Sequence, residues 1–108
     1  GNSLKALASP VLITPQVLGI SADDYRGLNP LLRKLILCES GGNENAWNKE
    51  DPNGGSFGIL QFQIPTFYYY APKAGIINPD IRNTEHQIKT AKYMISQGLL
   101  SQWTCGQK

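Results

Sequence analysis

The sequence holds two cysteines and one histidine in 108 residues, and that scarcity removes several kinds of chemistry at once. A tetrahedral zinc site needs four Cys, His or carboxylate ligands, usually in paired spacings. Cys38, Cys105 and His86 stand apart, so no metal and no cofactor is expected. A cysteine hydrolase would need Cys38 or Cys105 beside His86 in space; His86 sits at a helix start and reads as a surface residue instead. No apolar run approaches the roughly 20 residues that cross a bilayer, and no charged segment followed by an apolar one opens the chain. The basic residues are scattered, ten Lys plus Arg against eight Asp plus Glu for a net charge of +2. The basic stripe that marks nucleic-acid binding is therefore missing. The acidic spacing after Asn43 is wrong for an EF-hand calcium loop. Gly54-Gly55-Ser56-Phe57-Gly58 lacks the Gly-Lys-Ser/Thr ending of a phosphate-binding loop. No internal repeat or low-complexity tract interrupts the chain.

What remains suits one small domain: 41% hydrophobic content in 108 residues is enough for a single modest core. The mild positive charge suits an anionic polymer such as a bacterial cell wall, although it discriminates weakly. The opening Gly1-Asn2-Ser3 reads as a boundary from which a leader or anchor has been removed. Cys38 and Cys105 lie 67 positions apart and admit two readings. They are two free buried thiols in a reducing compartment, or a disulfide that ties the C-terminal tail to the helix carrying Glu39 and implies export. Such a closure would stabilise the fold by about 4 kcal/mol on the loop-entropy account.

Residues 1–28 carry Pro10, Pro15, Gly19, Gly27 and the pair Asp23-Asp24, and read as an extension of a short helix or two packed on the domain. The domain proper is placed at 29–108. Its first helix opens at Asn29, a good N-cap, with Pro30 at the first helical position where a missing N–H costs nothing. Leu31, Leu32, Leu35, Ile36 and Cys38 supply its apolar positions, and Gly41-Gly42 stops it. Asp51-Pro52-Asn53-Gly54-Gly55 is a strong turn signal, so a short β-hairpin or irregular loop over a cleft is expected before Ser56. A second helix begins near Ile64-Pro65-Thr66, carries Phe67, Tyr68, Tyr69 and Tyr70 and ends before Pro72. Helical spacing sends those rings to different faces, leaving one or two to line a groove. The last long helix is capped by Asn83 or Thr84. Thr84 and Gln87 form a capping-box pattern, and Ile88, Ala91, Met94 and Ile95 form its stripe until Gly98. The fold class is mainly α, with several helices and a small hairpin.

Glu39 is the residue with the clearest chemical setting. Three and four positions after Ile36 and Leu35, it falls on their face, which draws its carboxyl toward the core edge. A carboxyl held against apolar walls stays protonated more readily and can donate a proton to a glycosidic oxygen. Ordinary glycosidases use a second carboxyl group, but Glu44, Glu50 and Asp51 read as solvated turn residues. A single acid would then need a group of the substrate itself to stabilise the developing cation, and would act first as acid and then as base.

Glu39-Ser40-Gly41-Gly42-Asn43, then Gly58-Ile59-Leu60-Gln61, then Pro65-Thr66 resemble the successive motifs of the soluble lytic transglycosylases. Within that lysozyme-like superfamily the closer resemblance is to the catalytic domain of resuscitation-promoting factors, carried by Cys38 to Asn43, Gly58 to Phe62, Gln87-Ile88 with Ala91, and Gly98 through Trp103 and Cys105. The resemblance covers about residues 30 to 105. It implies a lysozyme-like domain that cleaves the β-1,4 bond between N-acetylmuramic acid and N-acetylglucosamine in peptidoglycan; the resemblance favours 1,6-anhydro formation, with hydrolysis of the same bond by a muramidase as the alternative. A non-catalytic wall-binding module of the same fold is the rival. By the same resemblance Glu39 matches the catalytic acid, Gln61 the amide at the scissile bond, and Ser40 the small polar residue after the acid. Gly58, Ile59 and Thr66 belong to the substrate-binding set. The family's Cys pair supports a Cys38–Cys105 disulfide, and its Trp suggests that Trp103 borders the groove or packs the tail. The Tyr-Asn motif of many soluble transglycosylases is absent, so Tyr69, Tyr70 or Trp103 would supply that contact. The expected partner is the peptidoglycan glycan strand, met by an exported monomer.

Overall fold

The computed structural model describes residues 28–107; the extension expected over residues 1–28 lies, apart from Leu28, outside the described residues. Helix α1 spans Pro30–Ser40. The Asn29 side chain accepts from the Leu32 N–H at 2.8 Å, satisfying one of the donors every helix start leaves over. At the other end Gly41 takes φ 68° and donates its N–H to the Leu37 carbonyl, which glycine does without Cβ strain. Leu32, Leu35 and Ile36 are buried, whereas Leu31 is 42% exposed and Cys38 is exposed. The apolar stripe is therefore narrower than expected. At 100° per residue, Leu31 and Cys38 fall on its edge and Glu39 falls near its centre.

Three two-residue strands follow: β1 Trp47–Asn48, β2 Ser56–Phe57 and β3 Phe62–Gln63. They form an antiparallel meander in the order β1-β2-β3, with Trp47 opposite Phe57 and Phe57 opposite Phe62. The expected hairpin is present. Its turn places Asn53 at φ 62° and Gly54 at φ 93°, closed by Gly55 N–H to Pro52 O at 3.2 Å. Two successive positive φ values define the primed turn that matches strand twist. The third strand was not expected; it makes residues 58–61 the loop of a second hairpin.

Helix α2, Ile64–Tyr70, and helix α3, Thr84–Ser96, complete the regular elements with two 3-10 turns, Leu100–Gln102 and Cys105–Gln107. One core joins them. Leu32, Leu35 and Ile36 meet Ile59, Leu60, Phe62, Phe67, Ile88, Ala91, Met94 and Trp103, all buried. Phe62 packs edge-on against both Phe67 and Trp103, at centroid separations of 5.4 and 5.5 Å. The tyrosine run divides as helical spacing requires: Phe67 is buried, Tyr70 half-buried, Tyr68 and Tyr69 exposed. No described helix is long and apolar enough to cross a membrane.

The expected capping box on α3 does not form. Asn83 is the cap and accepts from the His86 N–H at 3.0 Å. Gln87 points inward instead of back to the helix start, because it lies on the buried face with Ile88, Thr90, Ala91 and Met94.

Candidate active site

The loop from Gly58 to Gln61 is held from three directions. From α1, the Ser40 hydroxyl donates to the Ile59 carbonyl at 2.7 Å and accepts from the Gly42 N–H at 3.1 Å. From α3, the Gln87 amide oxygen accepts from the Leu60 N–H at 3.0 Å, while its nitrogen donates to the carbonyls of Phe57 (3.0 Å) and Ile81 (2.7 Å). From the C-terminal tail, the Trp103 indole N–H donates to the Leu60 carbonyl at 2.9 Å. Gln87 is 1% exposed and Trp103 5%, so these bonds replace water that cannot reach the buried backbone of Leu60. Gly58 has φ 79°, and a Cβ there would overlap the Gln87 amide; only glycine fits both the backbone and the approach.

Gln61 itself sits at φ 50°, a region costly for a residue without a short polar side chain. Its amide nitrogen donates to the Gly58 carbonyl at 2.9 Å and to the Ala46 carbonyl at 3.3 Å. The amide oxygen is left to meet other partners.

Glu39 is half-buried in the last turn of α1. One carboxylate oxygen accepts from the Cys105 N–H at 3.1 Å. The partner is fixed covalently: Cys38 and Cys105 are joined, S–S 2.10 Å and Cα–Cα 6.1 Å, and no described cysteine is free. Of the two thiol readings the disulfide holds. The acid thus lies between a helix end, whose carbonyls disfavour negative charge, and a tail N–H that draws it. That tail donor had no sequence signal beyond the cysteine pair.

The residues singled out in the sequence separate into groups. Gln61, Thr66 and Trp103 are brought together around a cavity of about 190 Å³, shared with Gln63, Met94 and Gln102. Ser40 clamps the loop, and the Ile59 side chain is wholly buried in the core. Tyr69 and Tyr70 line neither cavity. Their rings pack edge-on at 4.8 Å, and the Lys73 ammonium sits 4.6 Å above Tyr69. Glu39 is not in the cavity wall; it is linked to it through Ser40 and the Trp103–Cys105 tail. Of the other acids, Asp51 accepts from the Ser56 hydroxyl at 2.6 Å, Glu50 is exposed, and Glu44 lines a second cavity of about 230 Å³. His86 is spent locally, its Nδ1 accepting from the Asp80 N–H at 3.1 Å. Among the described residues no group of His, Cys, Asp and Glu could hold a metal ion.

Sequence reasoning passed over Gln87 as a loop anchor and Trp47 as a cavity wall. The available signals were a glutamine on a helix face otherwise apolar, and a tryptophan placed in an Asn- and Gly-rich stretch.

An acid at a helix end, a small antiparallel sheet beside it and a tail stapled across define a mainly helical domain of the lysozyme-like class. Comparison supplies the family. The chain is 32% identical over 104 residues to resuscitation-promoting factor RpfC of Mycobacterium tuberculosis (strain ATCC 35801 / TMC 107 / Erdman), covering 95% of this chain and 69% of that protein. The chain belongs to the resuscitation-promoting factor family. No family profile and no solved structure matches it. A match over 95% of the chain must also enter residues 1–28, which the motifs had left outside the resemblance.

Proposed function

We propose that this domain is a peptidoglycan-cleaving glycosidase acting on the β-1,4 bond between N-acetylmuramic acid and N-acetylglucosamine, with Glu39 as its acid. The supporting observation is the pairing of Glu39 with the Cys105 N–H, next to a Ser40 clamp onto the loop that carries Gln61. An acid so anchored keeps one geometry relative to that loop, which proton transfer to a leaving oxygen requires. Gln61, Thr66 and Trp103 form the wall against which the sugar rests, with the free amide oxygen of Gln61 as an acceptor.

The acids near Glu39 in sequence have other settings. Asp51 is occupied by Ser56 and Glu44 faces the second cavity, which favours substrate assistance. In the first step Glu39 gives its proton to the glycosidic oxygen as the C1–O bond breaks, and the 2-acetamido group stabilises the developing cation. In the second Glu39 takes the proton of the muramic C6 hydroxyl as that oxygen bonds to C1, leaving a 1,6-anhydro ring. A water in place of the hydroxyl would give hydrolysis. The disulfide fits an oxidising compartment, so the enzyme works outside the cytoplasm.

Purified sacculi test this directly. A folded Glu39→Gln chain should release soluble muropeptides about 10²- to 10⁴-fold more slowly than the parent. Release at the parent rate would end the proposal, leaving a binding module. Mass spectrometry separates the two chemistries, since anhydro ends are one water lighter and resist borohydride reduction.

A further inference from the structure

We infer that the cavity beside Trp47 is a second carbohydrate position, holding one pyranose ring of an N-acetylated glycan outside the bond-cleaving position; this rests on the proposed glycan-cleaving activity. The cavity, about 230 Å³, is built where Glu44, Asn45 and Trp47 face Phe57 and Arg82. Trp47 is 59% exposed, yet it is not loose. One face lies on the Phe57 ring, centroids 5.7 Å apart and planes within 12°. Its indole N–H donates to the Gly54 carbonyl at 3.3 Å. Gly55 makes this possible, because a Cβ there would collide with the indole nitrogen.

A tryptophan whose own polar atom is satisfied, and whose free face is fixed in water, offers a flat apolar platform. The rim has the opposite character: a carboxylate from Glu44, an amide from Asn45 and a guanidinium from Arg82. Opposite charges on one rim give no net pull on an anion, so a phosphate is a poor fit. An uncharged ring with C–H groups on one face and hydroxyl and acetamide groups at its edge satisfies both parts. The Gly58–Gln61 loop contributes to the walls of both cavities. Gly58 lines this one, and Gln61, which lines the other, donates to the Ala46 carbonyl in this wall.

The test uses N-acetylglucosamine oligomers, trimer and hexamer, titrated calorimetrically into the Glu39→Gln chain so that no cleavage intervenes. The hexamer should bind more tightly than the trimer. Adding Trp47→Ala should weaken the hexamer about tenfold and bring the hexamer-to-trimer ratio toward one. Arg82→Ala, at an exposed position that the fold does not need, should move the ratio the same way by a smaller factor. The hexamer should also shield tryptophan fluorescence from acrylamide more than the trimer does. An unchanged ratio in either folded variant overturns the inference, as does a loss caused by Tyr69→Ala in their place. A loss confined to peptide-bearing muropeptides overturns it in favour of a pocket that reads stem peptides. A parent that cleaves sacculi but binds both oligomers equally sinks this site alone. A parent that neither binds nor cleaves glycan sinks the proposed function with it.

Discussion

Gln87→Leu keeps the bulk of the side chain and removes three hydrogen bonds, which makes it the sharpest probe of how the candidate site is held. The Leu60 N–H and the Ile81 carbonyl would be left without their partner in surroundings water does not reach; each such group costs about 1–3 kcal/mol. Phe57 is half-buried, so its carbonyl recovers part of its loss from solvent. The sum is about 3–5 kcal/mol, a large share of the roughly 5–15 kcal/mol that holds a domain together. In urea, with a slope near 1.5 kcal/mol/M, the midpoint should fall by about 2–3 M. A fall under about 0.5 M would mean that the loop is held without Gln87. Gln87→Glu adds a pH signature. The new carboxylate could still accept from Leu60 but would confront two carbonyl oxygens, so its neutral form is favoured in the folded state and its pKa rises above the unfolded value of about 4.3. The stability it retains is fully present below that value and is lost as pH rises through the folded pKa. Relative to the parent, this variant should be more stable at pH 4 than at pH 7. A flat difference between those two pH values would refute the placement of the amide.

Reducing the Cys38–Cys105 bond reopens a loop spanning 67 positions and should lower stability by about 4 kcal/mol, seen as a shift of the urea midpoint with dithiothreitol; no shift would show that the tail is held without it. Gln61→Asn should keep or raise the thermal midpoint, since asparagine tolerates the left-handed backbone better. It should still slow cleavage of sacculi, because the amide is one methylene short; a fall in both would place the cost in lost hydrogen bonds rather than in strain.

Much of the scaffold was legible because local chemistry and tertiary demand agree there. Asn29-Pro30 starts α1 and Gly41 ends it; Asn53-Gly54 makes the turn; Pro65 and Pro72 bracket α2. The third strand was not legible, because Phe62-Gln63 is too short to show an alternation and pairs only through the meander. The Thr84–Gln87 box misled for a definite reason. A glutamine three residues into a helix can reach back to the cap or inward to a partner, and here three backbone groups from residues 57, 60 and 81 outbid one N–H. Around the site, the disulfide was narrowed to two possibilities by cysteine count and supported by family likeness. The Cys105 N–H that meets Glu39 depends on a tail path that residue types do not specify. Tyr69 and Tyr70 are singled out for sugar contact because the family's Tyr-Asn motif is absent, and residue types alone do not say where their rings would lie. The helix turns Tyr69 to solvent under Lys73 and leaves Tyr70 half-buried, packed edge-on against Tyr69.

The site's most unfavourable backbone and its densest polar anchoring occur in the same four residues, and each accounts for the other. Gln61 at φ 50° costs on the order of 1–2 kcal/mol relative to a relaxed backbone. A free hairpin loop would relax it. Here Ser40, Gln87 and Trp103 grip Ile59 and Leu60 from elements 19, 27 and 43 positions away in sequence, so relaxing Gln61 would break bonds worth more than the strain. Such strain persists only where surrounding structure over-determines it. The return is position: the loop that carries Gln61 is anchored to the last turn of α1, where Glu39 accepts from the Cys105 N–H. The Ser40–Ile59 bond joins the two halves, tying the last turn of the helix that bears the acid to the loop that bears the amide.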